Sequence, residues 1–433
     1  MGLITDAVGL ARDSTGDTFR LPGQLLGLLQ VRLAREPQPV FALLREVRPV
    51  FVRDGMAIVT RFPDVVEVLS HDAEFSVAGY DDPMREVTGD FILGLDQGPE
   101  YERAVSLLRL AFRQSDVPAV ADIAGEAAAR CVSEAAGNGA IDVVRDLTDR
   151  VPAALVARYL GVPGPDERTL IDWSKVLFNH IFVDLQRDRI QVEQALAAAA
   201  ELRAYLAKLV RTRTAALAAG KGAPDDVLTR LLRQQVMGTL AFTAEEIRNN
   251  LFGILVGMIP TVSKATALAI DELFRHPRHL DGARQAARDG DDPRFNRYVA
   301  EAMRLNPQAP GLLRRAVADY PLARGTRHET LIRSGTVVFA STQSAMLDPS
   351  VVAHPREFRL DRPDSVYLHY GAGLHQCFGR FVNGVVIPEI VRHALSIPAA
   401  VRAPGRAGRL AVDGNWPVSM TLRFPVTSAV RAG

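Results

Sequence analysis

A mainly helical fold with small β sheets is predicted by three observations. From about Val117 to Ala218 the apolar pattern is helical with few turn signals. Thr243-Ala244-Glu245-Glu246 then opens a long apolar run that reaches Leu273, and short β-type runs gather only in the early and late parts of the chain. With 433 residues, 48% of them hydrophobic and 23% charged, the chain can bury a large core. Length alone suggests two or three domains.

Residues 1–38 mix short helical pieces with Pro and Gly. Pro49 to Thr60 reads as two β runs around Asp54-Gly55, a hairpin signal because both turn residues tolerate positive φ. Phe62-Pro63-Asp64 opens an amphipathic helix through Leu69, Phe75-Ser76 closes that segment, and a less regular stretch runs from Val77 to Leu95. The Ala-rich runs Ala124–Ala136 and Ala195–Ala219 favour helix without naming a function. Leu202, Leu206 and Leu209 keep a helical stripe beside the second, which is therefore read as a long packed helix, broken at Gly220-Lys221-Gly222-Ala223-Pro224. Thr243 and Glu246 have capping-box spacing at the head of a long central helix. Downstream, Phe295–Leu305 reads as a helix, Val337–Phe339 and its neighbours as short strands, and Phe378–Leu395 as a last helix. No internal repeat is visible.

A net charge of +1, with no polybasic tract, gives no reason to expect nucleic acid as a partner. Cys131 and Cys377 lie far apart in unlike contexts, so a disulfide framework is not expected and a reducing cytoplasm is the natural home. Cys131, within Ala128-Ala129-Arg130-Cys131-Val132, reads as a core filler. The N-terminus lacks a basic region followed by a long apolar run, and the apolar stretch Leu251 to Ile259 is too short to span a bilayer. These features lead us to expect a soluble protein acting on small molecules.

The segment richest in chemistry is Tyr370-Gly371-Ala372-Gly373-Leu374-His375-Gln376-Cys377-Phe378-Gly379, a glycine-punctuated loop just ahead of an apolar helical segment. Gly371, Gly373 and Gly379 permit positive φ and close approach of backbone to a flat ligand, and amides near a helix start can hydrogen-bond a thiolate. A glycine-flanked cysteine alone is more often a small buried hydrophobe. Here, however, the segment resembles the haem-binding signature of the cytochrome P450 family, Phe-Gly-x-Gly-x-His/Arg-x-Cys-x-Gly, with Tyr370 in place of the usual Phe.

Further landmarks follow the family's order. Glu301-Ala302-Met303-Arg304 is an i, i+3 acid–base pair matching Glu-x-x-Arg, and Phe358-Arg359-Leu360-Asp361-Arg362 lies where the third member, Arg362, is expected. These three are implied to be structural. Arg314, in Arg314-Arg315-Ala316-Val317-Ala318-Asp319, matches Arg-x-Ala-x-x-Asp, whose arginine reaches a haem propionate. Arg315 competes with it, because a one-residue slip on a strand exchanges faces. His375 is implied as a second propionate donor. Asp96-Gln97-Gly98-Pro99-Glu100-Tyr101-Glu102-Arg103 resembles the family's other propionate segment but has Tyr101 in place of its His; Tyr101 and Arg103 are candidates there, an ordinary surface arginine being the alternative for Arg103.

The most consequential departure is Leu255-Val256-Gly257-Met258-Ile259-Pro260-Thr261-Val262, aligned with Ala-Gly-x-Asp/Glu-Thr-Thr. In the family the acid and first alcohol relay protons to the oxidant, whereas Ile259 and Pro260 carry no titratable or hydroxyl group. Thr261 is the nearest alcohol, and Pro260 removes a backbone donor from the helix. After the cysteine, Val382-Asn383-Gly384 replaces the usual Leu-Ala-Arg on a helix whose face commonly meets redox partners.

The resemblance implies one large domain with a long central helix over haem b. It also implies oxidation of a small or medium natural product with dioxygen and electrons from a ferredoxin-type partner, with non-standard proton delivery. A peroxide-using or rearranging enzyme and a haem protein that has lost turnover are the other readings. Substrate contacts are expected from Val77–Leu95, from Leu177–Asp188, from the central helix and from Pro310-Gly311-Leu312-Leu313. Phe91, Ile92, Leu93, Phe178, Phe182, Ile259, Leu312 and Leu313 suggest an apolar pocket with Asn179 and His180 as polar anchors.

Overall fold

A computed structural model describes residues 37–77, 80–184 and 188–426. The expected helical pieces of residues 1–38 lie outside these, except that residues 37 and 38 open the helix Pro37–Val47. Residues 78–79 and 185–187 of the two expected substrate segments also lie outside. The described chain forms two units, one from residues up to 77 with 309–357 and 361–376, the other from 80–308, 358–360 and 377 onward.

The first unit is built on a five-stranded sheet. Its strands run in the order Val50–Arg53, Met56–Val59, Val337–Ala340, Leu312–Ala316 and Phe75–Ser76, the second and third parallel and the other neighbours antiparallel. The Asp54-Gly55 turn closes the first hairpin as expected, with φ of 48° and 76° at the two residues. Val50, Val59, Val65, Val68, Leu69, Phe75 and Val338 are among the side chains that form its core. The helix Phe62–Ser70 contributes its Val65, Val68 and Leu69 face to that core, with Pro63 in its first turn where a missing N–H costs nothing.

The second unit is helical around one central helix, Ala244–Arg275. Its start carries the predicted capping box: the Thr243 hydroxyl accepts from the Glu246 amide at 3.2 Å, and the Glu246 carboxylate accepts from the Thr243 amide at 2.7 Å. Helices Glu167–Phe182, Arg189–Ala218, Asp292–Leu305 and Arg380–Ser396 pack on it. Two small sheets complete the unit, the hairpin Ala411–Asp413 with Trp416–Ser419 and a three-stranded sheet in which Thr421–Arg423 lies between Ala140–Asp142 and Val401–Arg402. Cys131 is buried, its thiol pushed up to about 11 by desolvation, as suits a core filler.

The central helix is long and apolar enough to cross a membrane, which the reading of Leu251–Ile259 by itself did not suggest. Averaging hydropathy along the helix includes both faces, however, and 72% of its most apolar window is buried within the protein. It is a core helix.

Candidate functional site

The cysteine segment is held from both sides of Cys377. In the first unit, Gly371 and Gly373 have φ of 73° and 74°, as the sequence predicts. At Gly373 a Cβ would lie 1.9 Å from the Leu69 carbonyl oxygen, so only glycine fits. Gly371 sits beside Leu312, whose Cδ1 would meet an added Cβ at 3.2 Å. Tyr370 is half-buried with its ring 4.6 Å from that of His369, whose pKa burial pushes down to about 4. The Leu374 amide donates to Asp72 at 3.2 Å, and His375 stands 4.0 Å from the same carboxylate.

In the second unit, Cys377 is half-buried just ahead of the helix Arg380–Ser396. Desolvation raises the pKa of its thiol, opposed by the Gly379 amide, which hydrogen-bonds the sulfur, and by the charge of Arg380. The Asn383 amide lies 4.0 Å from the sulfur. Gly379 has φ of −82°, so its expected positive φ is corrected; an added Cβ there would meet only the Asn383 side chain, at 3.7 Å. Phe378 packs edge-on against Phe112, with centroids 5.4 Å apart.

The strand Leu312–Ala316 places the two arginines on opposite faces. Arg314 is 3% exposed while Arg315 points to solvent, because alternate residues face opposite sides of a sheet. Buried Arg314 donates to the Leu313 carbonyl at 2.8 Å. Tyr101 is buried in the helix Pro99–Ala111. Arg103 is engaged elsewhere: its guanidinium pairs with Glu246, donates to the Ala241 carbonyl and stacks on Phe242, which corrects the expectation of a propionate charge at that position.

Glu301 and Arg304 form a fully buried pair, with Arg304 Nε and Nη2 donating to the carboxylate at 2.8 and 2.9 Å. The Arg359 amide adds a third bond to Glu301 at 3.0 Å. In the first unit, Arg362 donates to the carbonyls of Ala353, His354 and Glu357 at 2.6, 2.9 and 2.9 Å. A buried charge pair of this kind persists because every charge has a partner.

On the central helix, burial resolves a stripe. From Leu251 to Ile270 every residue is buried except Ile254, Gly257, Thr261, Lys264 and Leu268, whose spacing of three and four places them on one face. A Cβ on Gly257 would meet nothing within 4 Å, so the helix borders open space there. Thr261 lies on the stripe and donates its hydroxyl hydrogen to the Gly257 carbonyl. Ile259 is 0% exposed and Pro260 is buried, so both face protein; the expected pocket role of Ile259 is corrected to core packing.

Other expected pocket residues divide. Phe91 and Ile92 are buried; the Phe91 ring fills the space over Gly253, and the Ile92 amide donates to Asn250 at 3.3 Å. Leu93, Leu312 and Leu313 are half-buried. Phe178 meets Phe182 at 4.6 Å and Trp416 at 5.3 Å, and Tyr80 meets Phe182 at 5.4 Å. The expected polar anchors are already partnered, Asn179 with Gln191 and buried His180 with Glu86 at 3.1 Å. Sequence reasoning missed Trp416 and Lys264, whose Nζ lies 5.4 Å from the Trp416 ring. The available signal was that Lys264 is the one charged residue between Leu251 and Ile270 of this helix.

The donor chemistry of the second unit fits an iron porphyrin, since it presents a thiol with an amide bonded to its sulfur.

Comparison with known proteins agrees. The family model described as Cytochrome P450 matches residues 167–383. The chain is 28% identical over 386 residues to the erythromycin C-12 hydroxylase of Saccharopolyspora erythraea, covering 86% of this chain and 87% of that protein. It is 26% identical over 281 residues to the cyclomarin C epoxidase CymV of Salinispora arenicola, covering 65% and 67% respectively. The crystal structure of CalO2 shares the fold with a TM-score of 0.78 at 23% identity, covering 91% of this chain and 97% of that one. By signature, fold and family match together, the chain belongs to the cytochrome P450 family, as a haem b oxidoreductase.

Proposed function

We propose that this protein is a monooxygenase that oxidises a small or medium-sized natural product in biosynthesis, using dioxygen, electrons from a ferredoxin-type partner and protons delivered through water held at Thr261. The carrying observation is the open stripe of the central helix, on which Thr261 is the hydroxyl-bearing residue.

Haem b, when bound, would supply the oxidation chemistry, which electron donation from a thiolate would favour. Cys377 is the residue assigned to the iron, with the Gly379 amide sharing the charge of its sulfur. Arg314 and His375 are assigned to the propionates, with Tyr101 as a further hydrogen-bond donor. Gly371 and Gly373 let the segment turn closely, and Glu301, Arg304 and Arg362 are assigned structural roles, Glu301 holding the Arg359 amide and Arg362 the Ala353 carbonyl.

Proton handling follows from local geometry. Because the Thr261 hydroxyl gives its hydrogen to the Gly257 carbonyl, the lone pairs of its oxygen accept from a water. Pro260 lacks an N–H, so the Val256 carbonyl loses its usual helical donor. Thr261 thus orients water, and solvent supplies the proton that the family's missing acid would otherwise relay. Phe178, Phe182 and Trp416 give the substrate apolar and aromatic contacts.

A second reading, a peroxide-using or rearranging enzyme, is favoured by the buried, proton-free Ile259-Pro260 pair. One experiment separates them. Ligands found by Soret shift are incubated with holoprotein under labelled dioxygen and a ferredoxin–reductase pair, or with peroxide alone. We expect one labelled oxygen atom in the product of the first reaction. In Thr261→Ala, product per electron pair should fall by about tenfold or more, with peroxide released instead. Turnover with peroxide only, or unchanged coupling in Thr261→Ala, would overturn the proposal.

A further inference from the structure

We infer that Lys264 is a carboxylate-binding residue of the substrate site, and that the substrate is an apolar or aromatic molecule bearing one carboxylate. The inference rests on the small-molecule oxidation proposed above and specifies the class of molecule.

The chain draws its positive charge almost wholly from arginine: among 51 lysines and arginines, the lysines are Lys175, Lys208, Lys221 and Lys264. Lys208 and Lys221 are exposed, and Lys175 pairs with Asp149 at 2.6 Å. Lys264 is half-buried on the open stripe with Gly257 and Thr261, and no carboxylate among the described residues pairs with it. Asp149, which accepts from its neighbour Ser263 at 2.6 Å, is occupied by that hydroxyl and by Lys175.

Its surroundings are apolar. The ammonium lies 5.4 Å from the Trp416 ring, Phe178 meets that ring edge-on at 5.3 Å, and Phe182 stacks behind Phe178 at 4.6 Å. Burial alone acts on its pKa, pushing it down to about 8, with no charged group on any packed element contributing. At neutral pH Lys264 is still mostly protonated, so it is a desolvated cation held over an indole with no counter-charge among the described residues. Such a group is costly unless an anion completes it. A single ammonium beside aromatic walls suits a monoanionic carboxylate on an apolar body, placed about one helical turn from Thr261. Phosphate esters would leave a second charge against those walls.

The test uses holoprotein labelled at lysine, in the ferrous carbon-monoxide form, followed by NMR; the Lys264 resonance is assigned by its loss in Lys264→Met. Phenylhexanoate and dodecanoate are titrated against their amides. We expect the acids to move the Lys264 resonance and raise its pKa, and to bind about tenfold or more tighter than the amides. Lys264→Met should abolish that preference while Lys264→Arg retains much of it. The proposal is overturned if no acid of either kind moves the Lys264 resonance, or if the acid preference survives in Lys264→Met. Because binding needs no turnover, a Lys264 resonance that responds to the acids upholds this residue's role even where the labelled-dioxygen experiment overturns the monooxygenase reading.

Discussion

Lys264 exacts a stability cost from the fold that a ligand can offset. Its pKa in the folded state is about 8 against 10.5 unfolded, so between those values the unfolded chain binds more protons and stability rises with pH; below about pH 8 the full cost applies. Lys264→Met should therefore be more stable than the parent at pH 7 by about 2–3 kcal/mol, with the gain shrinking toward zero as pH rises through 8 to 10.5. Urea unfolding at pH 7 and pH 10 checks this. An equal gain at both pH values would mean that the effect is packing rather than charge. At this scale the sequence was legible where a residue type has one job. Which of Arg314 and Arg315 is buried was open in sequence, because strand alternation assigns faces only once the sheet is known. Arg103 and Ile259 were misread because alignment to a motif gives position along the chain but not the partner or the face.

At the scale of elements, the central helix carries both the packing and the chemistry. Its start was readable from the Thr243 and Glu246 spacing, and its length from the apolar run. Its open stripe was not readable, since Ile254 and Leu268 on the stripe are as apolar as the buried Leu255 and Ile259. Close packing along the edge of the stripe depends on Gly253, four residues before Gly257: an added Cβ would lie 2.2 Å from the Phe91 ring. Gly253→Ala should destabilise the protein by about 1–3 kcal/mol, seen as a lower urea midpoint, and Gly253→Ala with Phe91→Leu should recover part of it. A midpoint unchanged in Gly253→Ala would show that the ring is not wedged against the helix. The short strands were placed by composition, but their order, with Val337–Ala340 between Met56–Val59 and Leu312–Ala316, comes from pairing across nearly 300 residues of chain, which local patterns do not encode.

For the whole molecule, family membership was legible in a few spaced residues because their chemistry is restrictive. A buried acid–base pair and glycines fixed by φ or by contact tolerate few substitutes, so their spacing is a specific signal. The residues that set substrate class lie where packing is looser, and Trp416 and Lys264 come from distant parts of the chain. The central claim is that Cys377 is the thiolate ligand of the haem. Carbon monoxide added to the reduced holoprotein tests it most directly. The wild type should give the red-shifted Soret band of thiolate ligation, and Cys377→His should bind haem without that band. A wild-type band at the unshifted position, with porphyrin supplied during expression, or a red-shifted band that persists in Cys377→His, would contradict the account.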